Sequence, residues 1–575
     1  VRLAIPLGAR LAAPLVLALA GAAAPAPAAA QTSSSSTPSP AACEVARPLE
    51  GQRLLRRLSL DLRGRVPTHD EQAVQSGKAE VSDATVDAYL ASADFVDTMR
   101  SYHAGLLWPS INSVEFDGLQ HKLFPVEIAP GVTVYYSVLR ALFLRSVTVQ
   151  FPPCRNEPVQ YDAAGRIRMF PLMQGGQIVA MQEGYVEVEP YWAPGTRIKV
   201  CALDAQSEVS GPACTAQATA QSPFLKQTCD QFGTYTQFGG FAISGSAIQC
   251  SGAFSFLSDR CGCGPNLRLC NTQETQALIR ASLVEQQMRL LDQIVAENLP
   301  YTEVLLTKRS SVNGYLAHYL NYQSTLSFDV FGEKDATSPV PAGLGWPNGN
   351  AWVDVTRTGR HAGVLTTPGY LLKYQSNRGR AHRFYNAFEC AAFIPSGPLP
   401  SPSEACSKHE DLTQRCGCNA CHVALEPMAA NWGRFAEYGL TPLDEGRYPT
   451  RYEAVCTNMT TIDQLFRCFR FYQLEAVGDE LPFKNLLRPY VFRTPDQVAT
   501  LEAGPAALAG ESIASGKFAT CTVRKLWTHF MRRPPTADEE ATVIPDLRGR
   551  FQADQHRLRG LVKNIVLNPA YRRMP

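Results

Sequence analysis

Leu54, Leu55, Leu58 and Leu62 recur at helical spacing in "GQRLLRRLSLDLRGRVPT", and the arginines between them fall on the opposite, water-facing side. That spacing predicts an amphipathic helix. Pro67 breaks the run, and Thr68 with Glu71 makes a capping box for a second helix. A helical domain over 46–125 follows. The pattern then changes: "GVTVYYSV", "SVTVQF", "YVEVEPYW" and "TRIKVCAL" are short, rich in β-branched and aromatic residues, and separated by Gly and Pro. Residues 126–270 therefore read as a β-rich insert, its loops stapled by Cys154, Cys201, Cys214, Cys229 and Cys250. Helical periodicity returns after a cap signature at Asn271 and Glu274, with Val284, Met288, Leu291 and Val295 on one face. Met288 at that spacing reads as core rather than as a metal ligand. The pattern stays helical from Tyr301 to Tyr322, loops over 335–350, and is helix-like again from Gly363 to Cys390. After a Pro/Ser loop at 395–403 comes a cysteine cluster, and the chain closes with a helix from Ser515 to Met531 and another after a Thr536/Glu539 capping box.

The fold class expected is mainly α and multidomain with a β-rich, disulfide-bearing insert, α+β overall. The division is 46–125 helical, 126–270 β-rich, 271–394 helical, 395–470 the cysteine-motif region and 471–575 a C-terminal helical domain. No repeat of fixed period stands out.

The ends and the cysteines add a compartment. Arg2 and Arg10 flank the start of the apolar run "LAAPLVLALAGAAA", and "APAAA" offers a cleavage site after Ala30, so residues 1–30 read as a signal peptide and 31–45 as a Ser/Pro linker. No later window of about 20 uncharged apolar residues follows. The expectation is an exported protein, periplasmic or at the cell surface, with no integral membrane segment after cleavage. Seventeen cysteines fit such a place, because disulfides survive there. Charge changes the picture little: 54 basic and 52 acidic residues nearly cancel, which argues against nucleic acid as a partner.

The candidate chemistry lies in "QRCGCNACHVALEP". Cys418-Asn-Ala-Cys421-His422 is the spacing of a c-type haem attachment site: two thiols add across the vinyl groups and His422 ligates the iron from below. From the chain's own Cys and His frequencies a chance match is expected on the order of 0.01 times. Two other readings stand beside it. Cys416, Cys418 and Cys421 can pair with Cys390, Cys406 or Cys456 as ordinary disulfides, or three thiolates and an imidazole can hold zinc. Taking Cys418 and Cys421 for haem leaves fifteen cysteines, an odd number. The second cluster, Cys261, Cys263 and Cys270, lacks the following histidine and reads as a local disulfide knot. His318 and His529 lie in helical runs and read as core or surface residues. The basic run Arg378, Arg380, His382 and Arg383 reads as a solvated face or as a partner for haem propionates. No phosphate-binding Gly-rich loop, Gly-x-Ser-x-Gly elbow or His-Glu-x-x-His motif is present.

Several of these stretches resemble one family. "RLLRRLSLDLRGRVPT", "RHAGVLTTPGYLLKYQSNRGRAHRFYNAFEC", "CGCNACHVALEPMAANWGRFAEYG" and "RKLWTHFMRRPPTADEE" with "RGLVKNIVLNPAYRR" are similar, in this order, to segments of the cytochrome-c-associated domains of unknown function found in planctomycetes and myxobacteria. The likeness covers residues 50–110 and 275–575 and leaves the β-rich insert out. It implies an exported, mainly helical protein of c-type cytochrome character, with Cys418, Cys421 and His422 as the residues that match functional positions. Where many members have histidines in the segment matching Gly363 to Asn377, this chain has Thr367 and Asn377.

The distal side of the iron separates two activities, since a strong sixth ligand makes an electron carrier and an open site admits peroxide or oxygen. Met459, 37 residues after His422, is the sixth-ligand candidate, with His382, His409 or an open site as the alternatives. Met428 follows His422 too closely to cross the ring unless the helix ends at Pro427. The function expected is a mono-haem c-type protein that exchanges electrons with a redox partner protein or performs haem-dependent oxidoreductase chemistry on an extracellular substrate. The alternative is a non-catalytic, disulfide-bonded surface protein whose β-rich segment binds carbohydrate or a partner.

Overall fold

A computed structural model describes residues 48–573 apart from 112–120, 146–150, 208–209, 212–236, 239–240, 243–247, 251–257, 325–333, 392–400, 402, 409–413, 438, 441 and 444–494. Helix dominates, with several small sheets, so the fold is mixed α+β. The predicted first helix is Gly51–Arg63, with Leu54, Leu55, Leu58 and Leu62 all buried. Gly64, in the left-handed conformation at φ 67°, ends it. One of its arginines departs from the water-facing pattern. Arg63 is buried, donating to Glu71 at 2.8 Å and lying 3.5 Å over the Tyr89 ring, because two partners of opposite kind replace its hydration. Glu71 also closes the expected capping box on Thr68.

Helices Gly51–Arg63, Asp83–Leu90 and Ala93–Leu107 share one apolar core with Gln273–Ala296, Gly314–Tyr322, Asn377–Phe384, Lys517–Met531, Ala537–Ala553 and Leu558–Val566. Met288 is in that core, as its spacing indicated. The two ends of the described part of the chain are tied together: Leu49 N–H donates to the Arg572 carbonyl at 2.9 Å, and Tyr571 Oη donates to Asp61 at 2.8 Å.

Three expected elements differ. The cap of the long central helix is Thr272, boxed with Thr275, rather than Asn271 with Glu274. The stretch 301–322 is not continuously helical: Glu303–Leu306 and Gly314–Tyr322 flank a strand, Arg309–Val312, paired antiparallel with Val353–Thr356. A partner strand over forty residues away overrides local propensity there. The helix expected from Ser515 to Met531 begins at Lys517, after Gly516 at φ 75°.

The β-rich region holds a four-stranded sheet in the order Leu123–Ala129, Val132–Ser137, Ile198–Cys201, Tyr185–Val188, with a parallel pair at its centre. It packs on small apolar clusters of its own around Leu123, Val200 and Leu267. Beneath it Arg145 is fully buried, held to Glu183 at 2.6 Å and Asp204 at 2.9 Å. The expected strand "SVTVQF" lies almost wholly outside the described residues. Of the cysteines expected to staple this region, Cys201 bonds Cys154 and Cys250 bonds Cys261, while Cys263 bonds Cys270 as a local knot. Cys214 and Cys229 are not among the described residues.

Candidate haem attachment site

The motif is set up by the turn before it. Ala405–Lys408 forms a 3₁₀ turn, and Cys406 is bonded both covalently to Cys416 and through its carbonyl to the Cys416 N–H at 3.2 Å. Gly417 follows at φ 76°, a left-handed conformation that a side chain would strain. The glycine reverses the chain so that Cys418 enters the helix Asn419–Ala429. Arg415 O accepts from the N–H groups of Cys418 (3.1 Å) and Asn419 (2.9 Å); Cys418 O in turn accepts from Cys421 (3.2 Å) and His422 (3.1 Å). One helical turn thus carries both thiols and the imidazole. Positions three and four apart share a face, so Cys421 and His422 both stand beside Cys418.

The helix is anchored further along the same face. Leu425, Ala429, Ala430 and Trp432 are buried, and the Trp432 indole donates to the Leu365 carbonyl at 3.0 Å. Arg434 and Arg360 both clasp Glu502, at 2.6 and 2.7 Å. Toward solvent, Cys418, Cys421 and His422 are partly exposed, and Val423 is 60% exposed. The helix runs through Pro427 to Ala429, so Met428 stays on the motif's own helix, half-buried against the core. The condition under which it could cross the ring is not met.

Among the described residues, ten cysteines are paired in five disulfides and Cys418 and Cys421 are the two that are not. The ordinary-disulfide reading of the motif loses two of its three expected partners, Cys406 to Cys416 and Cys390 to Cys521, while Cys456 lies outside the described residues. Zinc fares no better. Among the described residues no group of three or more His, Cys, Asp or Glu could hold a metal ion, and Cys416, the third sulfur, is oxidised. The remaining donor set, two reduced thiols one turn apart with an imidazole following, fits a c-type haem.

The other expected participants are placed as follows. Arg380 and Arg383 are neither a solvated face nor free for propionates. Arg380 is fully buried, donating to the carbonyls of Leu371 (3.2 Å), Tyr374 (3.0 Å), Ala436 (2.7 Å) and Gly439 (3.0 Å) and to Asn377 Oδ1 (2.8 Å). It ties the helix Asn377–Phe384 to the segment following the motif. Arg383 donates to the carbonyls of Gly105 and Leu106 and stacks over Trp108 at 4.4 Å. His382 is exposed on Asn377–Phe384, which packs against the motif helix. Met459, His409 and Cys456 lie outside the described residues. His318 is a core residue, its Nε2 3.1 Å from the Arg268 carbonyl and its ring stacked 3.7 Å from Tyr191.

Buried histidines beyond those singled out include His121, and also His103, 3.0 Å from the Tyr301 hydroxyl, and His361, 3.0 Å from Asp335. The partners of His103 and His361 are 198 and 26 residues away and that of His121, the Cys250 carbonyl, 129, and no local signal marks them. No family model, curated protein or solved structure matches this chain. Among the described residues no helix is long and apolar enough to cross a membrane.

Proposed function

We propose that this chain is an exported mono-haem c-type cytochrome that exchanges electrons with a redox partner protein. The observation that carries the reading is the reduced pair Cys418 and Cys421 in a fold whose other described cysteines are all oxidised. Five disulfides indicate an oxidising compartment, where two thiols one turn apart would oxidise each other unless both were consumed. Thioether formation to the two vinyl groups of a haem consumes both. The resemblance to exported cytochrome-c-associated domains and the signal-like leader point the same way.

In this reading Cys418 and Cys421 hold the haem covalently, His422 is the proximal ligand and Met459 the sixth. The bound group supplies a one-electron iron couple whose potential follows the axial ligands and their burial. The chain's part is orientation: the buried Leu425–Trp432 side fixes the helix, and the Cys406–Cys416 bridge fixes the turn that enters it. The partner-facing side is the one where Val423 is exposed, so docking and electron exchange are placed there.

The test is expression with a haem-maturation system, followed by a pyridine haemochrome spectrum and intact mass. One haem per chain that survives denaturation, and is lost in Cys418→Ala with Cys421→Ala, is expected. An apoprotein mass under the same conditions overturns the reading. For the sixth ligand, a low-spin ferric spectrum that turns high-spin in Met459→Ala is expected; an unchanged spectrum assigns the position elsewhere.

A further inference from the structure

Helices Ala93–Leu107 and Lys517–Met531 enclose between them an open groove of about 610 Å³, with Tyr102, Gly105 and Leu106 on one wall and Lys525 and His529 on the other. The walls are mostly apolar, yet the charge at this place is one-sided. The Lys525 ammonium is half-buried and has no hydrogen-bond or carboxylate partner among the described residues; its charged neighbour is another cation, Arg383. Arg383 is itself answered by two carbonyls and an indole ring rather than by an acid. One turn along the same wall, His529 Nε2 is shielded from water and makes no hydrogen bond. The nearby acids are committed elsewhere. Glu540 pairs with Arg524, and Asp61 is held by Arg57, Arg532 and Tyr571.

A half-buried ammonium beside a guanidinium, with neither charge neutralised, is an unfavourable arrangement in the free protein, and an anion entering the groove relieves it. Lys525 and His529, four residues apart on one helix, set an ammonium and an imidazole side by side on the same wall of the groove, where a single acid group can lie between them. The apolar remainder of the groove asks for an apolar body behind that group. We propose that this groove binds a small amphiphilic organic anion, its acid group between Lys525 and His529 and its apolar body along Tyr102, Gly105 and Leu106. The site is independent of the haem reading, since it uses none of the motif residues.

Gly105 supplies a test that leaves the charges in place. An added Cβ there meets nothing within 4 Å, so Gly105→Leu extends into the groove while raising the helix propensity of the host helix. The probe is 8-anilinonaphthalene-1-sulfonate, an apolar aromatic body with one acid group, titrated by fluorescence into the full chain, with decanoate and decanol as competitors. Saturable one-to-one binding is expected, displaced by decanoate and at least about tenfold less well by decanol, the loss of one charge-assisted contact. Lys525→Gln is expected to weaken decanoate about tenfold, and Gly105→Leu to abolish the signal with an unchanged circular dichroism spectrum. Undiminished binding in folded Gly105→Leu, equal competition by decanol and decanoate, or no saturable binding to the wild type each overturns the proposal.

Discussion

Cys406 is bonded to Cys416, with their Cα atoms 5.4 Å apart, and Cys416 stands two residues before the motif thiol Cys418. The bridge removes from competition Cys416, the described sulfur nearest in sequence to Cys418. Freeing it is expected to do more harm than removing it. In Cys406→Ser the released Cys416 thiol forms disulfides with Cys418 or Cys421, and most of the covalent haem is lost. In Cys406→Ser with Cys416→Ser the released thiol is gone, and attachment returns. Haem-stained gels of the two variants check this, and equal haem content in both would count against it.

The disulfides differ in the length of chain they close, 131 residues for Cys390–Cys521, 47 for Cys154–Cys201 and 7 for Cys263–Cys270. Chain entropy then ranks their contributions at about 5, 4 and 2 kcal/mol. Replacing each pair by serine and measuring denaturant unfolding should reproduce that order. Because Cys390–Cys521 joins a turn to the helix Lys517–Met531 in the shared helical core, its loss is expected to shift the main transition, whereas Cys263–Cys270 should affect the β-rich region.

What the sequence disclosed was what is local. The leucine stripe of Gly51–Arg63, both Thr/Glu capping boxes and the Cys418–His422 turn depend on residues within one or two helical turns, where spacing alone sets the face. What escaped depends on distant partners. Ser310 and Ser311 carry no apolar alternation and are strand only because Val353–Thr356 pairs with them. Arg380 and Arg383 read as a charged surface, yet they are buried because carbonyls 55 to 59 residues downstream of Arg380, and some 277 upstream of Arg383, answer them. Disulfide partners were illegible for the same reason. The two motif thiols were recognisable because their signal is a spacing, and their freedom from the other described cysteines was not.

Acid stability should follow the buried histidines. Burial holds His103 and His121 down to about 3 and His318 to about 4, so all three are neutral in the folded protein. In the unfolded chain they take up protons below about 6.5. Native stability is therefore complete above that value and falls as pH drops toward 3, each group contributing a slope of about 1.4 kcal/mol per pH unit. Glu71, held at about 2 by the Arg63 hydrogen bond, adds its own loss only below its unfolded value near 4.5. Between pH 6.5 and 4.5, His103→Gln keeps a hydrogen-bonding group toward Tyr301 and should lose about 2.7 kcal/mol less than wild type. Parallel curves for the two proteins would show that His103 is not the group responsible.

Arg380 links the segment that follows the motif to the rest of the core through several buried hydrogen bonds. Its guanidinium is fully buried and its donors reach the Leu371 and Tyr374 carbonyls, which precede the motif in sequence, and the Ala436 and Gly439 carbonyls, which follow it. A lysine has three donors on one atom and cannot span that fan, so Arg380→Lys leaves buried carbonyls unpaired. The expected loss is about 3 kcal/mol or more of global stability. The effect should also be local: limited proteolysis is expected to gain cleavage near Ala436 to Gly439 under native conditions, with Cys418 and Cys421 still able to carry haem. A variant that loses stability with no new cleavage there would mean that Arg380 supports the core generally and does not fasten the segment that follows His422.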